Sequence, residues 1–252
     1  MRMALALLLA TGALAGSPPG AGPVRVFNAA DGVPQMAIYA LAPDREGRLW
    51  AGTLAGVARF DGQAWKSVEG PPSRYALLVN ANSMTSASDG SMWIGTRFQG
   101  YLEYRQGGWK VHDVQSGLPI NNVNGILESS RQDRSGRRIL YGATHGKGIV
   151  TFQDGAWRSL GGELAEERTF CLLEREGALW VGSARGVWIL EQGRWRPFEA
   201  NASLADPLVR TLAETTEPDG SRCLWIGTEK GGLYRWRHGR LEALPMKERM
   251  GN

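Results

Sequence analysis

Short stretches of alternating apolar and polar residues recur along this chain, each closed by a turn rich in glycine and aspartate. The third group shows the pattern in full. Val123–Glu128 reads as a strand, Asp133–Gly136 as a turn, and Ile139–Thr144 as a second strand. His145–Gly148 is a glycine-rich turn, Ile149–Phe152 a third strand, Asp154-Gly155 a hairpin turn, and Ala156–Leu160 a fourth strand. The same order recurs five times. The second strands carry Leu49-Trp50-Ala51-Gly52-Thr53, Met92-Trp93-Ile94-Gly95-Thr96, Leu140-Tyr141-Gly142-Ala143-Thr144, Leu179-Trp180-Val181-Gly182-Ser183 and Leu224-Trp225-Ile226-Gly227-Thr228. The core aromatics lie 43, 48, 39 and 45 residues apart, which suits one four-stranded antiparallel blade per unit. The expected fold is all-β: a β-propeller with five repeats visible.

A second periodicity fixes the register. Gly56, Gly100, Gly148, Gly186 and Gly232 each precede a further anchor by nine residues: Trp65, Trp109, Trp157, Trp195 and, in the fifth unit, Leu241. A single blade buries neither of its faces, so neighbouring blades must cover both, and equivalent positions need large apolar side chains. Trp50, Trp65, Trp93, Trp109, Tyr141, Trp157, Trp180, Trp195 and Trp225 therefore read as packing anchors, not as a platform for stacking nucleobases.

The ends differ from the repeats. Arg2, the apolar run Met3–Leu9 and the small-residue pattern Ala13-Leu14-Ala15 make residues 1–15 a signal peptide, cleaved after Ala15. Residues 16–23 form a Gly/Pro/Ser-rich linker, and an exported, periplasmic chain is expected. Residues 24–34 open with a lone fourth strand. The units then run over 35–69, 70–114, 115–160, 161–199 and 200–245, with a tail at 246–252. If unit five supplies its own fourth strand at Arg240–Leu244, the leading strand belongs to another blade, and the five units are part of a larger ring of about seven. The alternative is a closed ring of five, in which Val24–Phe27 displaces that strand.

Charge and cysteine content narrow the function classes. The formal net charge is +4, falling to +3 without Arg2, and no basic run stands out. That excludes a general nucleic-acid binder. Cys171 and Cys223 match no metal motif, and whether they form a disulfide stays open. His112, His145 and His238 lie in different units without ligand-like spacing, so neither a metal nor a cofactor is expected.

Several elements recurring in register resemble the two-component regulator propeller repeat. They are Asp31-Gly32-Val33-Pro34, Ser116-Gly117-Leu118-Pro119, the acidic turn and core Asp44–Trp50, Gly56-Val57, and Asp61-Gly62 through Trp65. Tyr141 and Ala143 depart from the pattern in unit three. The resemblance implies a periplasmic sensor region of a bacterial hybrid two-component or diguanylate cyclase receptor, here a fragment. Its C-terminal receptor segments would lie outside this chain, and the full receptor could pair as a homodimer. Some such propellers respond to glycans.

Propellers bind ligands at loops around one channel mouth. The turns between second and third strands carry Arg97, His145, Lys147, Arg185 and Lys230, a positive rim suited to an anionic small molecule or acidic oligosaccharide. The loops between blades add Arg74, Tyr75, Asn121, Asn122 and the stretch from Glu166 to Arg168, which can hydrogen-bond sugar hydroxyls. Most acids fall on the opposite turns, so the carboxylate pair a glycosidase needs is not evident, and no catalytic residue is assigned. A secreted lyase or glycosidase and a protein-interaction scaffold are the competing readings.

Overall fold

The structure, a computed structural model, describes residues 27–71 and 80–244. The expected linker and tail, the signal peptide, and Arg74 and Tyr75 lie outside them. Blade 1 comprises β1 (Ile38–Pro43), β2 (Leu49–Thr53), β3 (Gly56–Phe60) and β4 (Trp65–Val68). Blade 2 comprises β5 (Ala81–Ser86), β6 (Met92–Thr96), β7 (Tyr101–Arg105) and β8 (Gly108–His112). Blade 3 comprises β9 (Val123–Gln132), β10 (Arg138–Thr144), β11 (Ile149–Gln153) and β12 (Ala156–Ser159). Blade 4 comprises β13 (Thr169–Arg175), β14 (Ala178–Ser183), β15 (Gly186–Glu191) and β16 (Arg194–Pro197). Blade 5 comprises β17 (Val209–Thr216), β18 (Arg222–Thr228), β19 (Leu233–Arg237) and β20 (Arg240–Ala243). Each blade is an antiparallel meander, and the first strands pack side by side around the axis.

The recurring Thr or Ser and the recurring Gly turn out to be one device. The hydroxyls of Thr53, Thr96, Thr144, Ser183 and Thr228 donate to the carbonyls of Gly56, Gly100, Gly148, Gly186 and Gly232 at 2.9–3.1 Å. Each clamp closes the turn between second and third strands and satisfies a hydroxyl that the blade buries.

The apolar positions gather into four clusters, one at each junction between consecutive blades. Trp50 packs on Tyr104 of blade 2, Trp93 on Phe152 and Trp157 of blade 3. A closed ring of five would have five junctions. Among the described residues β17 has no packing against β1 comparable to that between other neighbours. The end faces show it. Trp50, Trp93, Tyr141 and Trp180 are buried, whereas Trp225 is only half-buried, and Met36, Ile38 and Tyr39 are exposed beside blade 1. Blade 5 has its own fourth strand, Arg240–Ala243, and of the expected leading strand only Phe27 lies within the described residues. Phe27 packs edge-on against Phe60 and Trp65 of blade 1. His112, which ends the fourth strand of blade 2, meets Phe152 and Trp157 of blade 3 in the same way.

Carboxylates also stitch blades together. Glu128 accepts from Ser88 N and Oγ at 2.8 Å, and Glu214 accepts from Arg175 Nε at 2.5 Å. Glu174 accepts from Ser129 Oγ, Ser130 N and Ser130 Oγ at 2.6–2.9 Å. Burial alone would raise the Glu174 carboxyl, but these bonds and the charge of Arg131 outweigh it and hold it below its ordinary value. A depressed folded-state value gives stability that is present above the unfolded value near 4.5 and lost as pH falls through the folded one. Glu174→Gln is therefore expected to cost about 1–2 kcal/mol at pH 7. Urea midpoints should show that deficit shrinking as the pH drops below the carboxylate range; a deficit independent of pH would contradict the assignment.

Candidate functional site

One end of the propeller axis is built from the turns after each second strand and the loops that enter each first strand. Each first strand carries a register shift near this end, which places Tyr39, Asn82, Asn124, Phe170 and Arg210 at bulge positions. A bulge re-aims a side chain where a strand would otherwise bury or pair it. Asn82 Nδ2 donates to Val123 O at 3.3 Å and Asn124 Nδ2 to Thr169 O at 2.8 Å, each reaching across to the next blade. The Arg210 guanidinium lies over the Phe170 ring at 4.3 Å.

Cations of several blades converge here. His145 N donates to Asn122 O, and His145 forms a β-bridge with Arg168 of the following blade. Partial desolvation, then the charges of Arg168, Arg97 and Arg210, hold the His145 imidazole below its ordinary value. Groups from four blades thus feel one another at the mouth. Arg97 and Arg168 are exposed and have no ion pair among the described residues; Arg97 lies over the Phe98 ring at 5.4 Å. Arg210 pairs with Glu229.

The rim of cations expected in four of the five turns is partly paired in the structure. Lys147 Nζ is paired with Glu166 at 2.8 Å, and Arg185 with Glu167, its second contact being the Glu163 carbonyl at 3.0 Å. Neighbouring loops therefore neutralise two of the expected cations. Lys230 is exposed and its backbone N–H binds Asp206 Oδ2 at 2.6 Å. Asn121 is committed to its own loop, where Oδ1 accepts from Val114 N at 2.9 Å and its carbonyl accepts from Gly100 N. Asn122 remains beside His145. Arg210 is the residue the sequence reading missed. Its signal was the bulge position one residue inside each first strand, visible only once the register is known.

Cys171 and Cys223 are free thiols. Burial pushes the Cys171 thiol up to about 12, so it is not a nucleophile at neutral pH. Two clefts of about 380 Å³ each open at the opposite end of the blades, one between blades 1 and 2 and one between blades 2 and 3.

Fold and mouth together define a β-propeller with a polar, cation-rich channel entrance. The two component regulator propeller model matches residues 32–55, the first acidic turn and second strand of blade 1. The fold is similar to the extracellular domain of a one component system from B. thetaiotaomicron, with a TM-score of 0.60 at 19% identity, covering 84% of this chain and 29% of that one. It is similar to the extracellular domain of a hybrid two component system from the same organism, with a TM-score of 0.50 at 16% identity, covering 87% and 36%. Virginiamycin B lyase from Staphylococcus aureus, solved with quinupristin, also matches, with a TM-score of 0.55 at 14% identity, covering 79% and 69%. The chain thus spans under a third of the first of these domains. At these identities the likeness is one of fold. Comparison with curated proteins finds no match. Among the described residues no helix is long and apolar enough to cross a membrane.

Proposed function

We propose that this chain is an exported, non-enzymatic sensing module of a bacterial signalling receptor, and that its channel mouth binds an anionic, hydroxylated ligand such as an acidic oligosaccharide. The observation that carries the reading is the convergence of Arg97, His145, Arg168 and Arg210 from four successive blades, with Arg97 and Arg168 left without ion pairs among the described residues. Cations gathered at a concave mouth attract an anion and fix its approach. Asn122, Asn124 and Tyr39 add hydrogen-bonding groups for hydroxyls. The repeat family and the likeness to extracellular sensor domains support the receptor role. Four junctions among five blades, with Phe27 already seated on blade 1, support membership of a larger ring whose other blades complete the receptor's sensor.

The test is calorimetric binding of a uronic-acid oligosaccharide against its neutral counterpart. The acidic form is expected to bind and the neutral one not. Arg97→Glu with Arg168→Glu should weaken binding by at least about tenfold per reversed charge, or ~1.4 kcal/mol each. A bound anion raises the His145 value, so the complex takes up protons and tightens as pH falls toward the ordinary histidine range near 6.5. Unchanged affinity in the folded double variant overturns the mouth assignment.

A further inference from the structure

Two departures from the repeat line the cleft between blades 2 and 3, and another lies buried behind one of them. The first is the length of β9 and β10. β9 runs to Gln132 and β10 begins at Arg138, so their hairpin extends the blade and contributes Asp133, Arg137 and Arg138 as one wall. The second is His112. It stands where the other blades place Val68, Leu160, Phe198 and Leu244, all apolar, and is 2% exposed. The third is Glu103, across the strand pair from Trp93, where the other blades carry Arg59, Thr151, Ile189 and Arg235.

The two buried-side departures form one relay. Trp157 Nε1–H can only donate, and it lies 3.2 Å from His112 Nδ1. Nδ1 therefore accepts, and the ring proton sits on Nε2, directed at Glu103 Oε2 at 2.9 Å. One oxygen of Glu103 is thus held from below while Oε1 has no hydrogen bond among the described residues. Glu103 lines the cleft with an apolar floor of Trp93, Leu140 and Phe152.

The charges on the lining sort themselves. Asp89 pairs with Arg105 and Glu128 with Arg138. Asp133 accepts turn bonds from Ser135, Arg137 and Asp154. Lys110 and Arg137 are exposed and their side chains have no ion pair among the described residues. The cleft therefore offers one oriented carboxylate oxygen and two unpaired cations above an apolar floor, with equal numbers of acids and bases overall.

We propose that this cleft is a second ligand site, separate from the channel mouth, and that it takes a small zwitterion with an apolar substituent, namely an α-amino acid such as leucine or phenylalanine. The ligand ammonium donates to Glu103 Oε1, its carboxylate meets Lys110 and Arg137, and its side chain covers the apolar floor. The volume of about 380 Å³ falls in the range of small-molecule pockets.

The experiment follows the indole N–H resonances of Trp93 and Trp157 while leucine or phenylalanine is titrated into the intact chain. Saturable shifts are expected. N-acetyl-leucine and leucinamide, each lacking one charge, should bind at least tenfold more weakly. Lys110→Ala with Arg137→Ala, both at exposed positions, should do the same without lowering the melting temperature. Glu103→Gln keeps an acceptor for His112 and should lose affinity for the amino acid while retaining affinity for its carboxylate-only analogue. Arg97→Glu with Arg168→Glu should leave the titration unchanged, which separates this site from the mouth. Absence of shifts, equal binding of the capped ligands, or unchanged affinity in the folded Lys110/Arg137 variant overturns the proposal.

Discussion

Trp180→Ala is expected to destabilise the protein by about 3–5 kcal/mol, and Trp225→Ala by clearly less. The two residues occupy the same repeat position in adjacent blades. Trp180 is 5% exposed, within 5.5 Å of the Phe198 ring and under the Arg175 guanidinium at 5.2 Å. Phe198 in turn meets Trp236 of blade 5 edge-on at 4.9 Å, so removing Trp180 opens the junction between blades 4 and 5. Trp225 is half-buried on the side that no blade of the described residues covers, and its indole N–H is held at 2.8 Å by Thr215 of its own blade. Less of its surface leaves water on folding, so less is lost on truncation. Urea unfolding of the two variants reads the difference. Equal losses would mean that a further surface covers blade 5, and the four-junction arc would be wrong for the protein in solution.

The blades were legible in the sequence because every unit solves one packing problem with the same residues. Trp50, Trp93, Trp180 and the nine-residue step to Trp65, Trp109 and Trp157 each answer to a local strand register and one neighbour. The end of β9 was less visible. The strand expected over Val123–Glu128 continues to Gln132, because the polar stretch from Ser129 stays in the strand and Gln132 pairs with Arg138 of β10 across a register shift. The mouth was legible only in part. Arg97 and His145 are placed by a turn that the repeat itself fixes. Whether Lys147 and Arg185 remain free depends on how close the loop holding Glu166 and Glu167 comes, and that distance is tertiary. Arg210 hides for a related reason. Alternation assigns it a face, and a bulge then changes that face.

His112 shows the opposite failure. Without ligand-like sequence spacing it reads as an isolated histidine. Its meaning lies in the comparison with Val68, Leu160, Phe198 and Leu244 at the same place in the other blades. In a repeat protein the scaffold defines what each position must do. A residue that breaks that requirement and finds a partner, as His112 finds Glu103 and Trp157, is where the repeat has been bent to another purpose.

Gly148→Ala is expected to cost on the order of 3 kcal/mol or more, against about 1 kcal/mol for Gly155→Ala. Both glycines have positive φ, +58° and +76°, so both substitutions place a side chain in the left-handed region. They differ in surroundings. A Cβ on Gly155 meets nothing within 4 Å, whereas one on Gly148 would stand 1.9 Å from the Leu164 carbonyl oxygen. That oxygen cannot move alone. Gly148 N donates to Glu167 O at 3.0 Å, and Gly148 O accepts from both Thr144 Oγ1 and Thr169 Oγ1 at 2.9 Å. Relieving the clash therefore pushes blade 4 away from blade 3 and disturbs the turn that carries His145. The variant should lose affinity for an acidic oligosaccharide as well as stability, while Gly155→Ala keeps both nearly intact. Thermal unfolding and calorimetric titration of the pair separate backbone strain, common to both, from the steric contact that only Gly148 makes. Matching losses would show that the close approach of Leu164 does not hold the mouth together.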